Sequence, residues 1–92
     1  MTMILKMSRQ KPLQRNKKDK ECLRQVGDNI RQARKRRGIS QEEFADIAGF
    51  SRSYYTEIET GRRNVSLLNL VKIIEALDTD PNTILGSIKN KR

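Results

Sequence analysis

Gly38-Ile39-Ser40-Gln41-Glu42-Glu43-Phe44-Ala45-Asp46-Ile47-Ala48-Gly49-Phe50-Ser51-Arg52-Ser53-Tyr54-Tyr55-Thr56-Glu57-Ile58-Glu59-Thr60-Gly61 sets two helix starts between three glycines. Ser40 has the side chain of an N-cap, Glu43 can reach back to it from the third helical position, and Ile39 can staple against Phe44. A helix is therefore predicted from Gln41. It is short, because Gly49 interrupts it about two turns later. Phe50-Ser51 repeats the device, with Ser51 as cap and Phe50 able to staple onto Tyr55. This predicts a further helix over 52–60, stopped by Gly61.

Phe44, Ala48, Phe50, Tyr55 and Ile58 are apolar where two steeply crossed helices would face each other. Ala45 is small where a close crossing leaves no room, and Gly49 supplies the glycine-compatible dihedral that a tight turn needs at its first position. Small and large residues thus fall at the spacing of a helix-turn-helix over residues 41–60. The bland alternative is an αα-hairpin used for packing alone.

Upstream, Leu23, Val26, Ile30 and Ala33 recur at steps of three and four, predicting a first helix that runs to about Arg37 and closes at Gly38. Downstream, Ser66 caps a fourth helix in which Leu67, Leu70, Val71, Ile74 and Leu77 are expected to share one face. Asp80-Pro81 then opens a short fifth helix through Ile84 and Leu85. Five helices and no convincing strand predict an all-α fold. The chain divides into a basic arm (1–21), a helical domain (22–88) and a short basic tail (89–92). The arm carries Lys6, Arg9, Lys11, Arg15, Lys17, Lys18 and Lys20 against Asp19 and Glu21. It reads as a solvated tail, a continuation of the first helix, a cloning-derived extension or a DNA contact, and the pattern does not choose among them.

Ninety-two residues make one small domain with a modest core. Twenty Lys and Arg against eleven Asp and Glu leave a formal charge of +9, which favours a polyanionic partner. The single cysteine, Cys22, excludes an internal disulfide, and without histidine the usual zinc spacings cannot be assembled. No metal, cofactor or small-molecule effector is expected. With no glycine-rich phosphate loop or nucleophile motif either, neither is an enzyme. No apolar run approaches the length of a membrane span, so the expected compartment is the cytoplasm.

With Tyr55 and Ile58 committed to the core, the opposite face of the third helix shows Arg52, Ser53, Thr56, Glu57 and Thr60, with Tyr54 at its border. Recognition helices use their N-terminal residues at base edges, which makes Arg52, Ser53, Tyr54, Thr56 and Glu57 the base-reading candidates. Arg52 leads, because a guanidinium can donate two hydrogen bonds to guanine. Gln41, Ser51, Arg62, Arg63, Asn64 and Ser66 surround this face and are the candidates for the DNA backbone. A dimer surface is expected on the fourth and fifth helices, around Leu77, Ile84 and Leu85, where leftover apolar area needs cover.

Ile30-Arg31-Gln32-Ala33-Arg34, residues 38–45 and Ile58-Glu59-Thr60-Gly61-Arg62-Arg63 resemble the phage-repressor and Cro type of helix-turn-helix, the XRE-like regulators of bacteria and phages. The resemblance covers about residues 26–85. Within that family, residues 51–59 followed by Arg63-Asn64-Val65-Ser66-Leu67 are especially similar to restriction-modification controller proteins. The resemblance implies a five-helix lambda-repressor-like domain, a homodimer on a near-palindromic operator, a third helix in the major groove and a phosphate contact from Gln41. It also implies an inward ion pair between Arg34 and Glu59. Two departures stand out: Tyr55 is aromatic where controllers usually have an aliphatic residue, and short controllers have no counterpart of the arm. An antitoxin-type interaction module with secondary DNA binding remains the alternative from another class.

Overall fold

A computed structural model describes residues 17–88, which form five α-helices and, among the described residues, no strand. These are α1 (Lys17–Arg36), α2 (Gln41–Ala48), α3 (Arg52–Glu59), α4 (Leu67–Ala76) and α5 (Pro81–Leu85). Residues 1–16 of the expected arm and the tail at 89–92 lie outside the described residues. The part of the arm that is described is helical: α1 starts at Lys17, six residues before the apolar periodicity begins at Leu23.

Local chemistry places the helix ends. Ser40 and Glu43 form the reciprocal capping box, and Ser51, Ser66 and Asp80 each accept a hydrogen bond from the backbone N–H three residues on. Gly49 closes α2 in the left-handed region at φ 81°, and its successor Phe50 donates back to the Ala45 carbonyl at 2.8 Å. That turn costs a glycine nothing and a residue with a Cβ more.

The core is one cluster to which every helix contributes: Val26, Ile30 and Ala33 from α1, Phe44 and Ala45 from α2, and Tyr55 and Ile58 from α3. Ile73 and Ile74 from α4, Leu77 at its C-cap and Ile84 from α5 complete it. α1 packs against α3 and α5, and α2 against α3 and α4. The α1–α3 crossing is close because Gly27 lies there. A Cβ built on it would sit 2.4 Å from the Ile58 carbonyl oxygen and 2.6 Å from that of Glu59. Periodicity gave no hint of this role, since a glycine within a helical pattern usually reads only as a cost.

Two expectations are corrected. On α4, Leu67 and Val71 were placed on one stripe with Leu70, Ile74 and Leu77, yet they are 75% and 40% exposed, and the inward stripe is Ile73, Ile74 and Leu77 with Leu70 half-buried. The helix is apolar at so many positions that two stripes satisfy the helical period, and packing against α2 selects the second. Leu77 and Ile84, expected at a dimer surface, are 1% and 0% exposed inside the protomer's own core, and Leu85 is half-buried against it. α5 is tied down on α1 by Asn29, which donates to the Ile84 carbonyl and the Ser87 hydroxyl at 2.8 Å each, and by Gln25, which donates to the Ser87 carbonyl.

Candidate nucleic-acid interface

α3 has two unlike faces. Tyr55, Ile58 and Glu59 are buried, while Arg52 and Ser53 in its first turn are exposed and their side chains make no bond to any described residue. Phe44 and Tyr55 meet at 5.0 Å between ring centroids and clamp α2 to α3, so the exposed edge is presented by a rigid pair rather than by a loop.

Beneath this edge lies a polar network inside the core. Arg34 Nε donates to Glu59 Oε2 at 2.6 Å and Nη2 to Oε1 at 3.1 Å, and Nη1 reaches the Ile39 carbonyl at 2.7 Å. The two side chains are 9% and 1% exposed, so the ion pair implied by the resemblance is present and buried. Two further donors complete it: the Tyr55 hydroxyl bonds Glu59 Oε2, and Gln41 Nε2 bonds Oε1 at 3.0 Å. Tyr55, the aromatic departure, therefore brings the pair a hydrogen bond that an aliphatic residue could not make. Burial alone would raise the Glu59 carboxyl, but the hydrogen bonds from Arg34, Tyr55 and Gln41 outweigh it and hold the group below the ordinary glutamate range. The same carboxylate raises Arg34, and burial followed by the bond to Glu59 pushes the Tyr55 phenol up.

Several other predicted residues turn out to have partners. Glu57, placed among the base readers, accepts from Arg63 Nη2 at 2.6 Å and Nε at 3.0 Å, which offsets the negative charge that would repel phosphate. Arg63 also lies 5.2 Å from the centroid of the Tyr54 ring. Tyr54 leans edge-on against Phe50, and its hydroxyl accepts from Asn69 Nδ2 at 2.8 Å, so it supports the rim as well as bordering the reading face. Thr56 is half-buried, with its hydroxyl 3.5 Å from Gln41 Oε1, at the limit of a hydrogen bond. The Gln41 amide group implied to hold phosphate is thus turned to Glu59. What remains for an anion at that position is the second N–H of the Gln41 amide and the backbone at the start of α2.

Ser51 and Ser66 cap α3 and α4 through their oxygens, which leaves each hydroxyl proton to donate outward. Arg62, Arg63 and Asn64 are exposed on the loop between those helices. Exposed first-turn residues on α3, two helix starts and a basic loop thus converge on one side. That is the arrangement a duplex needs, with donors for its phosphates around a protruding helix. No helix among the described residues is long and apolar enough to cross a membrane, and no described group of His, Cys, Asp and Glu could hold a metal ion.

Comparison with known proteins agrees with this geometry. Residues 30–84 match the family HTH_3, described as helix-turn-helix. The chain is similar to control protein C.MunI of Mycoplasma sp, at 38% identity over 66 residues, covering 71% of this chain and 89% of that protein. It is also similar to control protein C.BamHI of Bacillus amyloliquefaciens, at 42% over 60 residues, covering 64% and 74% of the two chains. The crystal structure of the restriction-modification controller protein C.AhdI from Aeromonas hydrophila superposes with a TM-score of 0.68 at 40% identity, over 71% of this chain and 94% of that one. The match encloses α2 and α3 with the helices that brace them, and the chain belongs to the helix-turn-helix family of DNA-binding transcriptional regulators, of the phage-repressor, XRE-like type.

Proposed function

We propose that the chain acts as a homodimeric regulator of the restriction-modification controller kind, with α3 of each protomer reading one half of a near-palindromic operator. The observation that carries this reading is the exposed first turn of α3, where Arg52 and Ser53 stand clear while Tyr55, Ile58 and Glu59 of the same helix are locked into the core. The likeness to proteins named as control proteins supports it. In this reading Arg52 donates to the edge of a guanine and Ser53 and Thr56 contact neighbouring bases. Ser51, Ser66, Arg62, Arg63, Asn64 and the backbone amides at Gln41 fix the register on phosphates.

Arg52→Ala is the direct test. Losing one bidentate base contact costs about 1–3 kcal/mol of discrimination, so the ratio of operator to random-duplex affinity is expected to fall roughly 5- to 150-fold. A gel-shift or anisotropy titration on both duplexes reads it. An unchanged ratio removes Arg52 as a base reader.

Leu67, Leu68 and Val71 form an exposed apolar stripe on α4, at 75%, 73% and 40% exposure, and are better placed than Leu77 and Ile84 to be covered by a second copy. Sedimentation should show a concentration-dependent dimer that Leu68→Glu weakens. A single-chain mass at every concentration would contradict the dimer.

A further inference from the structure

Three cations meet where α1 passes the loop after α3. Lys20, Arg24 and Arg62 line a cleft of about 330 Å³ together with Thr60 and Gly61, and no carboxylate among the described residues lines it with them. The approach is tight: a Cβ on Gly61 would lie 2.7 Å from Arg24 Cα and 2.8 Å from its backbone nitrogen. Gly61 at φ 76° therefore seats the loop directly on α1, just as Gly27 seats α1 on the last turn of α3. These two contacts fix the cleft relative to the recognition helix.

Lys20 and Arg24 are exposed, one helical turn apart, and of like charge, a mildly unfavourable pairing that an anion between them would relieve. Both lie outside the family match, which begins at residue 30, on the part of α1 that reaches back to Lys17. The loop they border carries Arg62 and Arg63, already assigned to the DNA backbone above.

We propose that Lys20 and Arg24, with Arg62, hold a backbone phosphate of the bound DNA. The helical start of α1 then acts as a second phosphate clamp that the helix-turn-helix itself does not supply. This rests on the DNA-binding reading, and it assigns Lys20 and Arg24 to affinity rather than to sequence choice, because phosphates position a protein without specifying bases. The neighbouring groove, which Arg24 also borders along with Glu21, Asp28, Lys18 and Arg31, is of mixed charge and less suited to an anion.

The test is the full chain carrying Lys20→Gln and Arg24→Gln, titrated on operator and random duplex between 50 and 200 mM salt. Each lost phosphate contact flattens the log–log salt slope by about one unit, so losing one per protomer, two per dimer, makes the variant's affinity fall roughly tenfold less than the wild type's across that range. Affinity at 50 mM is expected to drop on both duplexes, with their ratio preserved. The charge-conserving pair Lys20→Arg and Arg24→Lys should bind like the wild type. A Gln variant with wild-type affinity and slope overturns the proposal, as does a charge-conserving variant as weak as the Gln one, since packing rather than charge would then be at work. Wild-type protein that shows no operator preference, while the Gln variant still loses affinity, would defeat the operator reading and leave this one standing.

Discussion

Replacing Glu59 with alanine is expected to remove about 3–5 kcal/mol of stability, the cost of stranding one member of a buried ion pair. The side chain is 1% exposed and accepts from Arg34, Tyr55 and Gln41, so its removal leaves a buried guanidinium, a phenol and an amide short of their acceptor. A core of this size supplies only about 3–5 kcal/mol, and the variant should be largely unfolded at 25 °C. Urea unfolding followed by far-UV circular dichroism measures this, and a loss below about 1 kcal/mol would mean that the pair behaves like a surface bridge. Arg34→Met combined with Glu59→Leu should lose less than Glu59→Ala, because no charge is left buried without a partner. The pH dependence follows with a definite sign. The folded-state pKa of Glu59 lies below its unfolded value, so its contribution is present above the unfolded carboxyl range and is lost as pH falls through the folded value. Tyr55 runs the other way: its raised phenol contributes below the ordinary tyrosine value of about 10 and loses that contribution as pH rises beyond it.

A second large effect is expected from salt. Some six phosphate contacts across the operator would give a log–log slope of about −5, and raising salt from 50 to 200 mM should then cost roughly a thousandfold in affinity. The formal charge of +9 favours this kind of association, but placement matters more than the total. Arg34 is buried on Glu59 and Arg63 is paired with Glu57, whereas Arg52 at the reading edge has no described partner. A slope shallower than about −2 would mean that few phosphates are engaged and that the loop between α3 and α4 lies away from the duplex.

Most of the helix plan was legible because its signals are local. Ser40, Ser51, Ser66 and Asp80 act within three residues, and Gly49 and Gly61 meet backbone demands at their own positions. What was not legible depends on partners far along the chain. The face of α4 could not be read from its period, since apolar residues at Leu67, Leu68, Leu70, Val71, Ile73 and Ile74 fit more than one stripe until α2 chooses. Burial of Ile84 follows from α5 lying on α1, through bonds from Gln25 and Asn29 that no periodicity announces. The site divides in the same way. Exposure of Arg52 and Ser53 followed from committing Tyr55 and Ile58 to the core. Gln41 was assigned to phosphate from its place at a helix N-terminus, and its bond to Glu59, eighteen residues on, is not visible in a linear reading. Glu57 looked awkward at a DNA surface until Arg63 was found beside it.

The central claim is that the first turn of α3 reads bases in a duplex, and selection from a random double-stranded DNA pool tests it most directly. The wild-type chain should enrich one motif of two inverted half-sites, with a conserved guanine in each that Arg52→Ala no longer selects. Enrichment of no motif at all, or of the same motif with the same guanine by the variant, would contradict it.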